Sequence, residues 1–156
     1  MMGTGHVRHG NELYMYYWGT GRLHDSIFLR PELAETKIME GPHGLGVVRQ
    51  RLDGFMSVTV DTQGGSITTP PLVFEGSKLF VNQNCGAAGT LFVEIQDLNG
   101  NPFAGYSLAD CEEITGNDVD WQVRWRGSSE INRLEGLPVR LHFRMRRSEL
   151  YAFQFR

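Results

Sequence analysis

From Phe55 to Arg156, apolar residues recur at every second position in short runs separated by Gly, Pro, Asn and Asp, the rhythm of half-buried β-strands. The predicted strands are Phe55 to Val60, Ser66 to Thr69, Leu72 to Phe74, Lys78 to Asn82, Thr90 to Gln96, Trp121 to Trp125, Val139 to Arg146 and Leu150 to Phe155. Successive strand side chains point to opposite faces, so alternation assigns an inner and an outer set. Leu91, Val93 and Ile95 oppose Phe92, Glu94 and Gln96; Trp121, Val123 and Trp125 oppose Gln122, Arg124 and Arg126. Val139, Leu141, Phe143 and Met145 oppose Arg140, His142, Arg144 and Arg146. One face of each strand belongs to a core.

The residues before Arg51 read differently. Leu13 to Trp18 is an aromatic run bounded by glycines, the pattern of a strand covered on both faces, and its expected partner is Gly44 to Arg49. Between them, Ile27 to Gly41 lacks alternation and is expected to be a loop, with one helical turn near Glu32 to Lys37 between Pro31 and Pro42. The expected class is all-β: an antiparallel β-sandwich over residues 51–156, preceded by an N-terminal strand pair within residues 1–50. Two connectors carry turn chemistry. Asn99-Gly100 predicts a type I′ hairpin turn, and Ser129 followed by Gly136-Leu137-Pro138 predicts a capped helical turn with a glycine stop.

Composition narrows the function classes. Fifteen basic and eighteen acidic residues leave a net charge of −3, which excludes a whole-chain electrostatic footprint for nucleic acid. No run approaches the ~20 apolar residues of a membrane helix, and the start has no apolar signal-peptide region. A soluble protein with no membrane or nucleic-acid partner is expected. The charges are segregated: Glu94 to Asp120 holds acids without Lys or Arg, whereas Arg124 onward is dominated by arginine, so paired strands from the two stretches would neutralise one another. Cys85 and Cys111 permit one disulfide without demanding it.

Arg51-Leu52-Asp53-Gly54-Phe55, Leu72 to Gly76, Gly105 to Cys111, Trp125-Arg126-Gly127 and Leu150 to Phe155 together carry a resemblance. They resemble the C-terminal β-sandwich of large bacterial glycoside-hydrolase-like proteins, in which the sandwich follows a five-bladed β-propeller similar to the β-fructosidase and arabinanase propellers. The resemblance covers about two thirds of the chain, and Glu12 to Gln50 looks like the last propeller strands. It implies a jelly-roll or concanavalin-like sandwich that packs on a propeller, in a parent family that is exported. The acids that do chemistry in such propellers have no counterpart here. The head is therefore expected to be an incomplete propeller end, with a propeller domain or a second copy of the chain as its partner.

Candidate chemistry lies in three places. Asp110, Glu112, Glu113, Asp118 and Asp120 crowd one stretch, where Ca²⁺ would find the oxygen ligands it takes, although no fixed ligand spacing is met. The same acids offer the pair that a small glycoside hydrolase would need, which is the alternative function. Arg124, Arg126, Arg140, His142, Arg144 and Arg146 would form a basic strip if their strands were neighbours, suited to bidentate contacts with an acidic or sulfated polysaccharide. Pairing with Glu94 and other acids on adjacent strands is the expected alternative fate of that strip.

The remaining candidates favour plain structural roles. Trp121 and Trp125 share an apolar face and are expected in the core rather than stacked on sugar. His6-x-x-His9, His24 and His43 lack further ligands at zinc spacing and are expected to be mobile loop side chains. Asp97-x-Asn99-x-Asn101 is expected to be a hairpin, because Pro102 stands where a calcium loop needs glycine. Cys111 has no basic neighbour and is expected to be a structural thiol. The expected function is a non-catalytic accessory β-sandwich that touches carbohydrate; lectin-like binding without a parent enzyme is a third reading.

Overall fold

The computed structural model describes residues 2–20 and 43–156; the predicted Ile27–Gly41 loop, its helical turn, Pro31, Pro42 and His24 lie outside them. The chain gathers into two units, Met1–Leu52 and Asp53–Arg156. Every named strand pair is antiparallel, and no α-helix occurs among the described residues. The protein is all-β, and its second unit is an antiparallel β-sandwich.

In the first unit, β2 (Glu12–Thr20) pairs with β3 (His43–Arg51), Leu13 opposite Gln50 and Trp18 opposite Leu45. The predicted pair is present, and a third strand joins it. β1 (Met2–His9) pairs with the other edge of β2, giving the order β1-β2-β3. Strand β1 was not legible because glycine at positions 3 and 5 reads as turn text, while backbone pairing needs no side-chain pattern. Register puts Val7, Tyr14, Tyr16, Trp18, Leu45 and Val47 on one face and Leu13, Met15, Tyr17 and Val48 on the other. Both faces carry large apolar side chains beside polar ones such as Arg8, Arg49 and Gln50.

The second unit is built on one long ribbon. β6 (Leu79–Gln96) is a single strand of 18 residues, where alternation predicts two. Its first half pairs with β9 (Ser148–Phe155), Leu79 opposite Phe155. Its second half pairs with β8 (Arg140–Arg146), Thr90 opposite Arg146 and Gln96 opposite Arg140. Because β8 runs into β9 through Arg147 alone, residues 140–155 form a near-continuous partner for β6, kinked at Arg147, whose φ is 47°. Opposite that kink, residues 85–89 bulge out of β6. An exposed run Gly86-Ala87-Ala88, with no large side chain to bury, forms the bulge and re-aims the strand. Bends of this kind let one strand serve both layers of a sandwich.

The other strands complete the sheet. β4 (Val58–Val60) pairs with β9, β5 (Gly65–Thr68) pairs with β8, and β7 (Ile114–Gln122) pairs with β6 on its remaining edge. Strand β7 begins seven residues before the predicted Trp121, across Thr115-Gly116-Asn117-Asp118, a stretch whose polar text carries no strand signal. Residues 55–57 are outside β4, and Leu72 makes a lone bridge with Val139 rather than a strand.

The alternation assigned the core. Leu91, Val93, Ile95, Val123, Trp125, Val139, Leu141, Phe143 and Met145 are buried, joined by Leu79, Val81, Ile114, Ile131 and Leu134. The Trp125 indole donates to the Val93 carbonyl at 2.9 Å and stands edge-on to Tyr106 at 5.4 Å. Phe74 stacks on Phe155 at 4.1 Å. Trp121 is half-buried against the same cluster.

Two connectors differ in detail from expectation. At 97–101, Gly100 (φ 87°) is in the left-handed region and Asn99 is not, so the turn is a type I turn closed by a glycine bulge. The Asp97 carboxylate explains the choice: it accepts the N–H groups of Asn99 and Asn101 at 2.8 and 2.9 Å, fixing a right-handed turn. At 129–136, a short 3₁₀ turn spans Asn132–Leu134 with Ile131 before it and no side-chain cap. The nearby serine bond comes from Ser128, which accepts the Glu130 N–H at 3.2 Å. Gly136 does take a positive φ, 74°.

Gly89 closes the bulge against the kink, and a Cβ there would overlap the carbonyl oxygens of Arg147 and Cys85. Backbone atoms cannot step aside as a flexible side chain can. Gly89→Ala is expected to destabilise the protein by about 3 kcal/mol, in the range of severe single substitutions. Urea unfolding followed by tryptophan fluorescence measures this, and a loss below about 0.5 kcal/mol would show that the bulge can relax.

Candidate functional site

The acidic stretch does not converge. Asp110 is buried, and its Oδ1 takes the Arg126 Nε at 2.5 Å while its Oδ2 takes the Ser107 hydroxyl at 2.7 Å. Glu112 accepts the Gly127 N–H at 2.8 Å. These contacts join residues 107–112 to the 125–128 turn, where Arg126 itself sits at φ 50°. Asp118 accepts the N–H of Asp120, two residues on within β7, at 2.8 Å. Asp120 is held by Arg156 through two bonds of 2.6 and 3.0 Å, and that guanidinium also lies over the Phe80 ring. Among the described residues, no three His, Cys, Asp or Glu side chains gather to hold a metal. The proposed Ca²⁺ ligands Asp110, Glu112, Asp118 and Asp120 are thus separated, because each answers a different arginine or backbone N–H.

The same contacts bear on acid–base chemistry. The Ser107 hydroxyl holds the Asp110 carboxyl below the usual carboxylate range, helped by the Ser107 N–H and Arg126 and opposed by burial. A general acid needs the opposite shift, towards neutrality. Asp97 is likewise held low, first by the Asn101 N–H. Both carboxylates are turn-builders.

The basic residues separate into three places. Strands β7 and β8 flank opposite edges of β6, so Arg124 and Arg126 are not neighbours of the β8 row. Arg124 is exposed beyond the end of β7, and its carbonyl accepts the Glu112 N–H. Arg140 stands at the start of β8 opposite Gln96, with a buried Nε that reaches no acceptor. His142, Arg144 and Arg146 continue along the outer face of β8.

These last three line a trough of about 490 Å³. Thr90 and Phe92 of β6 form one wall. Ser66 of β5 and the Gln63-Gly64-Gly65 turn form the other. That turn is fixed by Gln63 and Gly64, whose N–H groups donate to Asp61, and by the Arg147 N–H, which donates to the Asp61 carbonyl at 2.8 Å. The kink of the ribbon therefore also positions the rim. The Thr68 hydroxyl and His142 Nδ1 are 2.7 Å apart, which orients the imidazole.

The expected neutralisation of this row by Glu94 does not occur. Glu94 stands opposite His142, but its Oε1 accepts the Gln96 amide at 2.7 Å and its Oε2 accepts the Leu108 N–H at 2.9 Å. The 107–112 loop has drawn the carboxylate away. Arg144 lies instead over the Phe92 ring at 4.9 Å. Among the described residues, neither Arg144 nor Arg146 has a carboxylate partner, and no acid lines the trough.

The histidine pair is also separated. His6 and His9 are three positions apart on β1, so they project to opposite faces and cannot share a ligand. They lie on a strand, not a mobile loop. The side chain of His43 is outside the described residues. Cys85 and Cys111 are free and buried. Burial pushes each thiol up to about 11, and Cys111 is further committed by accepting the Val93 N–H at 3.3 Å.

Sequence reasoning missed Gln63, Ser66, Thr90 and Phe92 as neighbours of the basic row. Phe92 carried a usable signal, an aromatic side chain on the outer face of a strand. The β5–β8 pairing that brings in Ser66 leaves no trace in alternation. No protein-family model, curated protein or solved structure matches the chain.

Two outcomes follow from these groups. A carboxyl with a depressed folded-state pKa contributes stability above its unfolded pKa of ~3.9 and loses it as pH falls through the lower folded value. Asp110→Asn is therefore expected to be less stable than the parent at pH 7, with the gap closing below about pH 4; an undiminished gap at low pH would show that the loss is packing, not charge. Thiolate is the reactive form, so neither cysteine is expected to react with a disulfide reagent at pH 8 until urea unfolds the chain. Rapid labelling of one equivalent in the native protein would contradict the burial of both.

Proposed function

We propose that this chain is a non-catalytic accessory β-sandwich of a glycoside-hydrolase-like protein, and that its outer sheet face binds carbohydrate. One observation carries the reading: the trough on β8 gathers a half-buried aromatic ring, hydroxyl and amide groups and three basic side chains on a rigid sheet. Ligand sites commonly have this composition, a concave surface with a few convergent polar groups. The carboxylates available for hydrolysis are tied into turns and ion pairs, which favours binding over turnover.

The resemblance to the C-terminal sandwich of glycoside-hydrolase-like propeller proteins supports an accessory role. In that setting the large apolar side chains of the β1-β2-β3 sheet suit a propeller domain or a second copy of the chain as the covering partner. The parent protein would be a bacterial, exported one.

Affinity electrophoresis through gels cast with a panel of neutral and acidic polysaccharides tests the reading, with a reducing-end assay on the same mixtures. The expected result is retardation in at least one gel without new reducing ends, weakened by Phe92→Ala. Unretarded migration in every gel would remove the carbohydrate reading. New reducing ends that vanish in Asp110→Asn would establish the small-hydrolase alternative instead.

A further inference from the structure

We infer that the β8 trough is selective for an extended polyanionic glycan, one that carries sulfate or carboxylate groups along its chain. This deepens the carbohydrate reading and rests on it.

The first ground is uncompensated charge. Arg144 and Arg146 line the trough with His142; among the described residues no carboxylate lines it, and Glu94, across the strand pair from His142, is engaged by Gln96 and Leu108. In a chain of net charge −3, two arginines side by side in a concavity, with no carboxylate partner among the described residues, are a local reversal of sign. Guanidinium groups bind sulfate and carboxylate through paired N–H donors.

The second ground is spacing. Arg144 and Arg146 are two residues apart on one strand, which sets their Cα atoms about 7 Å apart along it. Two forks at that separation address two anionic groups on one ligand more readily than a single anion. The lining follows β8 from His142 to Arg146, and the rim of Gln63, Ser66 and Thr90 offers donors and acceptors to hydroxyl groups between the charges.

The third ground discriminates between polyanions. Single-stranded nucleic acid is held by a basic groove together with successive bases stacked on open aromatic faces. The trough has one aromatic ring, Phe92, and Arg144 already lies over it at 4.9 Å. Among the described residues, no second aromatic ring lines the site. The cation covers the platform a base would need, while a sugar bearing charges meets the guanidinium itself.

The test titrates the full chain with heparin, polygalacturonate, a neutral glucan and a single-stranded oligonucleotide at low and high salt. Saturable binding to heparin or polygalacturonate is expected, weakened by salt as screening requires and absent for the glucan. Loss of a charge-assisted contact weakens affinity by about tenfold, so Arg144→Ala and Arg146→Ala are each expected to lose about that factor. Arg144→Lys should fall between them and the parent, because an ammonium keeps the charge but not the fork. Arg124→Ala, on the exposed loop away from β8, should bind as the parent does.

Arg146 is exposed and, unlike Arg144, does not lie over the Phe92 ring, so its variant reports on binding even if Arg144→Ala unfolds. Equal affinity for the neutral glucan would overturn polyanion selectivity while leaving the carbohydrate reading intact. Tighter binding of the oligonucleotide would overturn the choice of glycan. Binding that Arg124→Ala weakens as much as Arg146→Ala would move the site off β8. Absence of binding to every polysaccharide would remove both readings together.

Discussion

The pairing of β6 with the β8–β9 run is the constraint on which the second unit depends. Eighteen residues of one strand face sixteen residues of another, and the two bend together where residues 85–89 bulge opposite Arg147. A straight ribbon of that length would present one flat surface and bury little. Bent, it lets Leu79 and Val81 in one half and Leu91, Val93 and Ile95 in the other close over the same cluster. The bulge keeps odd-numbered residues inward on both sides of the bend, so a single alternation serves both layers. Burial of those side chains at ~25 cal/mol per Å² of apolar surface supplies the driving force that the pairing alone does not.

The trough is the reverse side of the same arrangement. Once Leu141, Phe143 and Met145 point inward, His142, Arg144 and Arg146 must point outward, with Thr90 and Phe92 beside them. The outer row was therefore legible from the inner one. Its walls were not, because they come from β5 and the Asp61–Gly64 turn, about eighty residues away in sequence and recruited by backbone pairing. Short polar strands such as Gly65–Thr68 carry little hydrophobic pattern, and their place in a sheet is set by the partner that needs an edge covered.

Where the sequence misled, a local side-chain bond had decided a backbone choice. Asn99-Gly100 reads as a type I′ turn until Asp97 is seen to bind two N–H groups across it. The acidic stretch reads as one cluster until Ser107, Arg126, Gly127 and Arg156 are seen to claim its members separately. Charges close in sequence were separated, since β7 carries Asp118 and Asp120 along β6 while Asp110 and Glu112 stay with the turn at 125–128. The basic row had a different fate. Arg124 and Arg126 left it, but His142, Arg144 and Arg146 stayed together because alternate positions on one strand share a face.

The fate of Glu94 joins these two outcomes. A carboxylate opposite His142 would, by simple cross-strand pairing, be expected to quench the adjacent arginines. It does not: Glu94 accepts the half-buried Leu108 N–H, where the 107–112 loop folds against the sheet, and the Gln96 amide. A hydrogen bond to a charged group contributes about 1.5–3 kcal/mol, more than an exposed ion pair with an arginine would return at roughly 0–1 kcal/mol. The loop therefore wins the carboxylate. The same loop that disperses the acidic cluster, by tying residues 107–112 to the turn at 125–128, holds Glu94 away from Arg144 and Arg146, which have no carboxylate partner among the described residues. Loss of a metal-like cluster and gain of an anion-ready trough are two consequences of one loop docking.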